Sequence, residues 1–125
     1  MPEYDSTSPS PPAPIAYVIL RNPENGLEII NVPMLLDTGS DATLLPRKYV
    51  EKLDLSDSET RIFELAAFDE ATSQSAVVIL QMIFEGRSFR GEFLTINQDC
   101  GIIGRNVLNS LRILFDGQNL RWEIL

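Results

Sequence analysis

Strand-length apolar runs, broken at short intervals by turn-forming clusters, constrain this chain more than any other feature. "IAYVIL" is followed by the cluster "RNPENG" and then by "LEIINVPMLL". β-branched and aromatic residues suit the pleated surface of a sheet, whereas Pro, Asn and Gly end it, so these runs predict a β-hairpin. Farther on, "RIFELAAF" and "SAVVILQMIF" read as strands joined by the polar "DEATSQ". "FEGRSFRGEFLTI" reads as a hairpin turning near Gly86, and "GII" as a short strand closed by Gly104. "RILF" and "LRWEIL" flank an Asp-Gly turn. Helical spacing is confined to "PRKYVEKL", with Pro at its start, and to "RNVLNSL". Many short strands with one or two short helices predict a mostly β domain.

A chain of 125 residues holds one such domain comfortably. The strand pattern begins at Ile15, so residues 15–125 are expected to form it. Residues 1–14, "MPEYDSTSPSPPAP", are rich in Ser and Pro and are expected to be a disordered tail. The formal net charge of −8 disfavours nucleic acid and anionic membranes as partners, because both need a positive footprint. There is no histidine, which removes Ser-His-Asp and Cys-His catalysis and makes a metal site unexpected. No cofactor is expected either. The single Cys100 has no internal disulfide partner and reads as a small buried hydrophobe. Neither a membrane-spanning run nor a signal-peptide pattern is visible, so a cytoplasmic location is the expectation.

Any acid–base chemistry must then come from carboxylates, and "LLDTGSDATLLP" at residues 35–46 is where they stand out. Asp37 ends an apolar strand, and a charge there is costly unless it is paired or hydrogen-bonded. The plain alternative is that Asp37 and Asp41 are turn residues. A calcium loop is disfavoured by the missing Asp/Asn spacing and terminal Glu. "GIIG" superficially matches an RNA-binding Gly-x-x-Gly loop, but its centre is apolar and the chain acidic. Arg105 can likewise be read as a solvated surface charge.

Asp37-Thr38-Gly39 after an apolar strand, with "IIGRN" at residues 102–106, resembles the retropepsin-like aspartic proteases. The second box is similar to the hydrophobic-hydrophobic-Gly-Arg-Asn motif that enters a short helix in retroviral proteases. The resemblance covers roughly residues 15–125, and these two boxes carry it. It implies a mostly β, retropepsin-like acid-protease fold closed by homodimerisation, and an aspartic endopeptidase acting on peptide or protein substrates. Two carboxylates share one proton in such enzymes. With one Asp-Thr-Gly per chain, the second Asp37 must come from a second copy. The rival reading is a non-catalytic dimerisation or peptide-binding module.

The resemblance also assigns roles. Asp37 is the catalytic acid, Thr38 interlocks across the dimer, and Gly39 lets the backbone approach. Ser40 is expected to donate to the carboxylate, which would favour its charged form and give an acidic optimum. Asp41 is expected to meet substrate and to form a partly buried pair with Arg105. A flap falls between "RIFELAAF" and "SAVVILQMIF"; its tip, residues 68–73 with Phe68 and Asp69, is expected to bind substrate. The tip contains no glycine, a departure from retroviral flaps. "LRWEIL" is expected to help dimerisation, and Trp122 to lie in the core.

Overall fold

The computed structural model describes residues 2–5, 10–55, 60–66 and 72–125, with 60–66 and 72–76 described by their backbone. Its strands are β1 (Tyr4–Asp5), β2 (Ala13–Arg21), β3 (Glu28–Leu36), β4 (Leu44–Pro46) and β5 (Thr60–Ala66). They continue with β6 (Thr72–Phe84), β7 (Arg87–Ile96), β8 (Gly101–Ile103), β9 (Ile113–Asp116) and β10 (Arg121–Ile124). The helices are α1 (Arg47–Val50), extended by a 3-10 turn (Glu51–Leu53), and α2 (Arg105–Leu108). This is the mostly β fold with short helices that the sequence predicts.

Side-chain alternation builds the core. Ala16, Val18 and Leu20 on β2, Val32, Met34 and Leu36 on β3, and Val78, Leu80, Met82 and Phe84 on β6 all point inward and are buried. Complete burial of one such side chain stabilises by about 1.5–3 kcal/mol relative to exposure. The large sheet runs β1-β2-β3-β8-β4-β7-β6-β5, and a further β2–β6 pairing closes it. Strands β2, β3, β8, β4, β7 and β6 therefore form a closed barrel of six, which leaves the ring without free edges.

A bulge makes that closure possible. Between the pairs Val18–Val32 and Leu20–Ile29 the register shifts, and Asn31 takes a positive φ of 57°. The extra residue on β3 bends and twists the pair, and beyond it Ile19–Arg21 of β2 meets Gln81–Ile83 of β6. The β6–β7 hairpin turns at Glu85 and Gly86, whose φ values of 49° and 75° are those of a two-residue primed turn.

Part of the segment expected to be a disordered tail is paired. Tyr4 and Asp5 face Pro14 and Ala13 of β2, the Tyr4 amide donates to the Leu120 carbonyl at 2.7 Å, and the Trp122 amide donates to the Pro2 carbonyl at 3.0 Å. One partner, the start of β2, is close in sequence; the other, the edge at Leu120–Trp122, is distant, and local composition does not reveal it. Residues 2–5 thus tie the β9–β10 hairpin to the barrel. Trp122, 1% exposed as expected of a core residue, adds an edge contact to Phe84, with ring centroids 5.9 Å apart and planes at 65°. Among the described residues, no helix is long and apolar enough to cross a membrane.

Candidate active site

The chain leaves β3 at Asp37. The Asp37 amide donates to the Ile103 carbonyl at 3.0 Å, continuing the parallel β3–β8 pairing one residue past Leu36 and Ile103. The Ser40 amide then donates back to the Asp37 carbonyl at 3.2 Å and closes the turn. Asp37 is half-buried at its root, with Thr38 and Gly39 exposed at its tip. Its carboxylate Oδ1 accepts the Gly39 N–H at 2.8 Å. A Cβ on residue 39 would stand 3.1 Å from that oxygen, so glycine is the residue that lets the amide reach it unhindered.

Past the turn, the chain lies directly on the β8–α2 junction. A Cβ on Gly104 would overlap the Ala42 carbonyl and stand 2.8 Å from the Ser40 oxygen. The Arg105 amide donates to the Ser40 carbonyl at 2.8 Å. Thr43, 1% exposed, accepts the Gly104 N–H at 3.2 Å and donates to Asn106 Oδ1 at 2.7 Å. One buried hydroxyl thus holds the descending limb of the loop to the second motif box. Sequence reasoning passed over Thr43; its signal was a lone hydroxyl ahead of the apolar "LLP".

Two expectations about this turn require correction. The Ser40 hydroxyl donates to the Ala42 carbonyl at 2.7 Å and not to the Asp37 carboxylate. A nearby backbone oxygen two residues on captures it, as short hydroxyl side chains in turns commonly do. The argument for an acidic optimum from Ser40 therefore falls. The expected Asp41–Arg105 pair is also absent among the described residues; ion pairs that do form include Arg21–Glu28 and Lys48–Asp99. With its amide tied to Ser40, Arg105 instead sends Nη1 to the Thr38 carbonyl at 2.6 Å. Asp41 and Arg105 are both exposed, where an ion pair contributes little.

The structure thus gathers Asp37, Thr38, Gly39 and Ser40 on one turn, with Arg105 braced against it, and leaves Asp41 alongside in solvent. Phe68 and Asp69 lie outside the described residues, although β5 and β6 that lead to them pair from Thr60–Val78 to Ala66–Thr72. Cys100 is partly buried, and that burial pushes its thiol above the ordinary value, which disfavours the nucleophilic thiolate at neutral pH. Among the described residues, no group of three His, Cys, Asp or Glu is placed to hold a metal ion.

No family model matches the chain, and no curated protein matches it. Among solved structures, it is similar to EIAV protease complexed with the inhibitor HBY-793, with a TM-score of 0.55 and 18% identity, covering 85% of this chain and 91% of that one. That likeness, with the closed six-strand barrel and the strand-to-turn placement of Asp37, defines a retropepsin-like fold.

Proposed function

We propose that the protein is an aspartic endopeptidase that hydrolyses extended polypeptides through two Asp37 carboxylates, one from each protomer of a homodimer. The observation that carries this reading is the Asp37 carboxylate itself. It is half-buried at the end of a barrel strand, accepts the Gly39 amide at 2.8 Å, and stands on a backbone anchored to Ile103. Such anchoring supplies the preorganisation that acid–base catalysis requires. The retropepsin-like fold supports the same reading.

In the proposed dimer a two-fold axis brings the two turns together, so that both carboxylates share one proton. The ionised carboxylate takes a proton from a water molecule, which attacks the scissile carbonyl. The protonated carboxyl gives its proton to the carbonyl oxygen, forming a tetrahedral diol. Collapse breaks the C–N bond, with a proton passing to the leaving amine, and leaves an acid and an amine. Arg105 holds Thr38 from outside the site, and the β5–β6 hairpin is the candidate flap over the substrate.

The test is incubation of the protein and its Asp37→Asn variant with a diverse peptide library from acidic to neutral pH, because a coupled carboxylate pair loses its protons in separate steps. Cleavage by wild type alone is the expected result. No cleavage by a folded, dimeric sample would overturn the protease reading in favour of a non-catalytic peptide-binding module.

A further inference from the structure

We propose that a groove between β1 and β2 is a separate peptide-binding site, which takes an extended segment carrying Lys or Arg. It shares no lining residue with the Asp37 turn and does not depend on the protease reading. The closed ring leaves one short stretch of β2 uncovered. On the edge away from β3, β1 pairs with Ala13 and Pro14, and β6 pairs with Ile19–Arg21. Residues 15–18 have no strand partner on that edge among the described residues. The start of the chain is turned away toward β10, through the Tyr4 amide on the Leu120 carbonyl and the Trp122 amide on the Pro2 carbonyl. The two strands diverge there, and a groove of about 460 Å³ opens between them.

Hydrogen-bond parity fixes which groups face this gap. The two-residue turn at Glu85 and Gly86 makes Phe84–Arg87 a hydrogen-bonded pair of the β6–β7 hairpin. Met82 then also faces β7, so Ile83 and Gln81 turn their N–H and C=O groups toward β2. Their partners Ile19 and Arg21 face β6 in return. The bulge lies on β3, so β2 alternates without interruption and directs Tyr17 and Ile15 to the uncovered edge. Pro33 agrees with this parity. It stands opposite Tyr17, where a non-hydrogen-bonded pair asks for no proline N–H. Ile15 and Tyr17 thus present backbone donors and acceptors at alternate residues, the pattern that an added strand takes up.

The lining selects the occupant. Glu3, Asp5 and Glu85 border the groove together with Tyr4, Tyr17 and Trp122, and no Lys or Arg lines it. Glu3 and Glu85 are exposed, and Tyr17, 60% exposed, adds an aromatic ring for a cationic side chain. The net charge of −8 draws a basic segment in the same direction. Trp122, 1% exposed, carries an indole N–H that meets no acceptor among the described residues. A buried donor without an acceptor is costly, and a peptide carbonyl in the groove would relieve that cost. An extended basic segment brings all three requirements together: backbone partners for β2, an acceptor for the indole, and a cation for the carboxylates.

Trp122 is the single tryptophan of the chain, so its emission reports occupancy of the groove. The probe is a capped heptapeptide of alternating Lys and Val, titrated into Asp37→Asn so that it stays uncleaved. A second peptide replaces Lys by Glu, and two more carry N-methyl groups on every other amide, one in each phase. The Glu peptide and at least one methylated phase are expected to bind at least about tenfold more weakly than the parent. Tyr17→Pro removes a donor that the fold does not use and is expected to weaken the parent by about tenfold. Glu3→Lys combined with Glu85→Lys, at exposed positions, is expected to do the same through charge, and it decides the matter together with the methylated peptides if Tyr17→Pro does not fold. Equal binding of the Lys and Glu peptides, full binding of both methylated phases, or unchanged affinity in the double Lys variant would overturn the site. An unmoved Trp122 emission up to about millimolar peptide would overturn it as well. Cleavage by the wild type is read in a separate assay, so either reading can fail while the other stands.

Discussion

The Asp37 amide donates to the Ile103 carbonyl at 3.0 Å, so the catalytic candidate is fixed by a strand from the other end of the sequence. The apolar strand that precedes Asp37 and the Gly-Arg-Asn box that follows Ile103 are thereby two sides of one backbone junction. Carboxylate placement depends on how closely the loop over residues 40–43 can settle on Gly104.

Gly104→Ala tests that close approach. Its new Cβ would overlap the Ala42 carbonyl, a backbone atom that cannot rotate aside. Forced overpacking of this kind costs about 1–3 kcal/mol, to be read as a lower urea midpoint with an unchanged slope. Wild-type stability in this variant would mean that the loop has room to move.

Thr43→Val keeps the shape and deletes the hydroxyl. The Gly104 amide is then buried without its acceptor, and Asn106 loses its donor. The expected loss is about 1–3 kcal/mol. Thr43→Ser, which retains the hydroxyl, is expected to recover most of it in the same denaturation assay. Equal losses in both variants would assign the effect to packing of the methyl group.

Arg105→Ala separates positioning from stability. The side chain is exposed, so losing its bond to the Thr38 carbonyl is expected to cost about 1 kcal/mol or less. Under the protease reading, misplacement of the turn reduces kcat by about 100-fold. Arg105→Lys restores a donor and is expected to recover part of the rate. A fall in stability large enough to explain the rate would contradict the positioning role.

The β9–β10 turn carries a pH-dependent contact. The Asn119 side chain donates to Asp116 and is the main reason that its carboxyl lies below the ordinary range; amides of Asn119 and Gln118 and the charge of Arg121 act in the same direction. A carboxyl depressed in the fold contributes stability above its unfolded value and loses it as pH falls through the folded one. Asn119→Ala is expected to raise the Asp116 carboxyl, measured by NMR titration, and to flatten the acid limb of hairpin stability. An unmoved titration would contradict this assignment.

Hairpins and short helices were legible in the sequence because their signals are local: alternation in β2 and β3, the Glu-Gly turn at 85–86, Pro46 before α1. The position of Asp37 at a strand-to-turn junction was legible for the same reason. Contacts set by tertiary approach were not. Residues 2–5 look like solvated filler because one of their two partners, Leu120–Trp122, is more than a hundred residues away. The Ser40 hydroxyl was expected at the Asp37 carboxylate, and a backbone oxygen two residues on takes it instead. The resemblance matched Arg105 to Asp41, whereas the Ser40 anchor on its amide directs it to Thr38. Thr43 carried no motif signal, since its importance comes from burial against Gly104 and Asn106.

The central claim is that one active site needs Asp37 from two chains, and a mixing titration tests it most directly. Wild type and Asp37→Asn are combined at fixed total concentration, allowed to exchange, and assayed for peptide cleavage. If both carboxylates are required and pairing is random, an equal mixture retains about one quarter of the wild-type activity, because only the wild-type homodimer is complete. Activity falling with the square of the wild-type fraction is the expected result. A linear fall to about one half, as independent sites would give, would contradict the shared site.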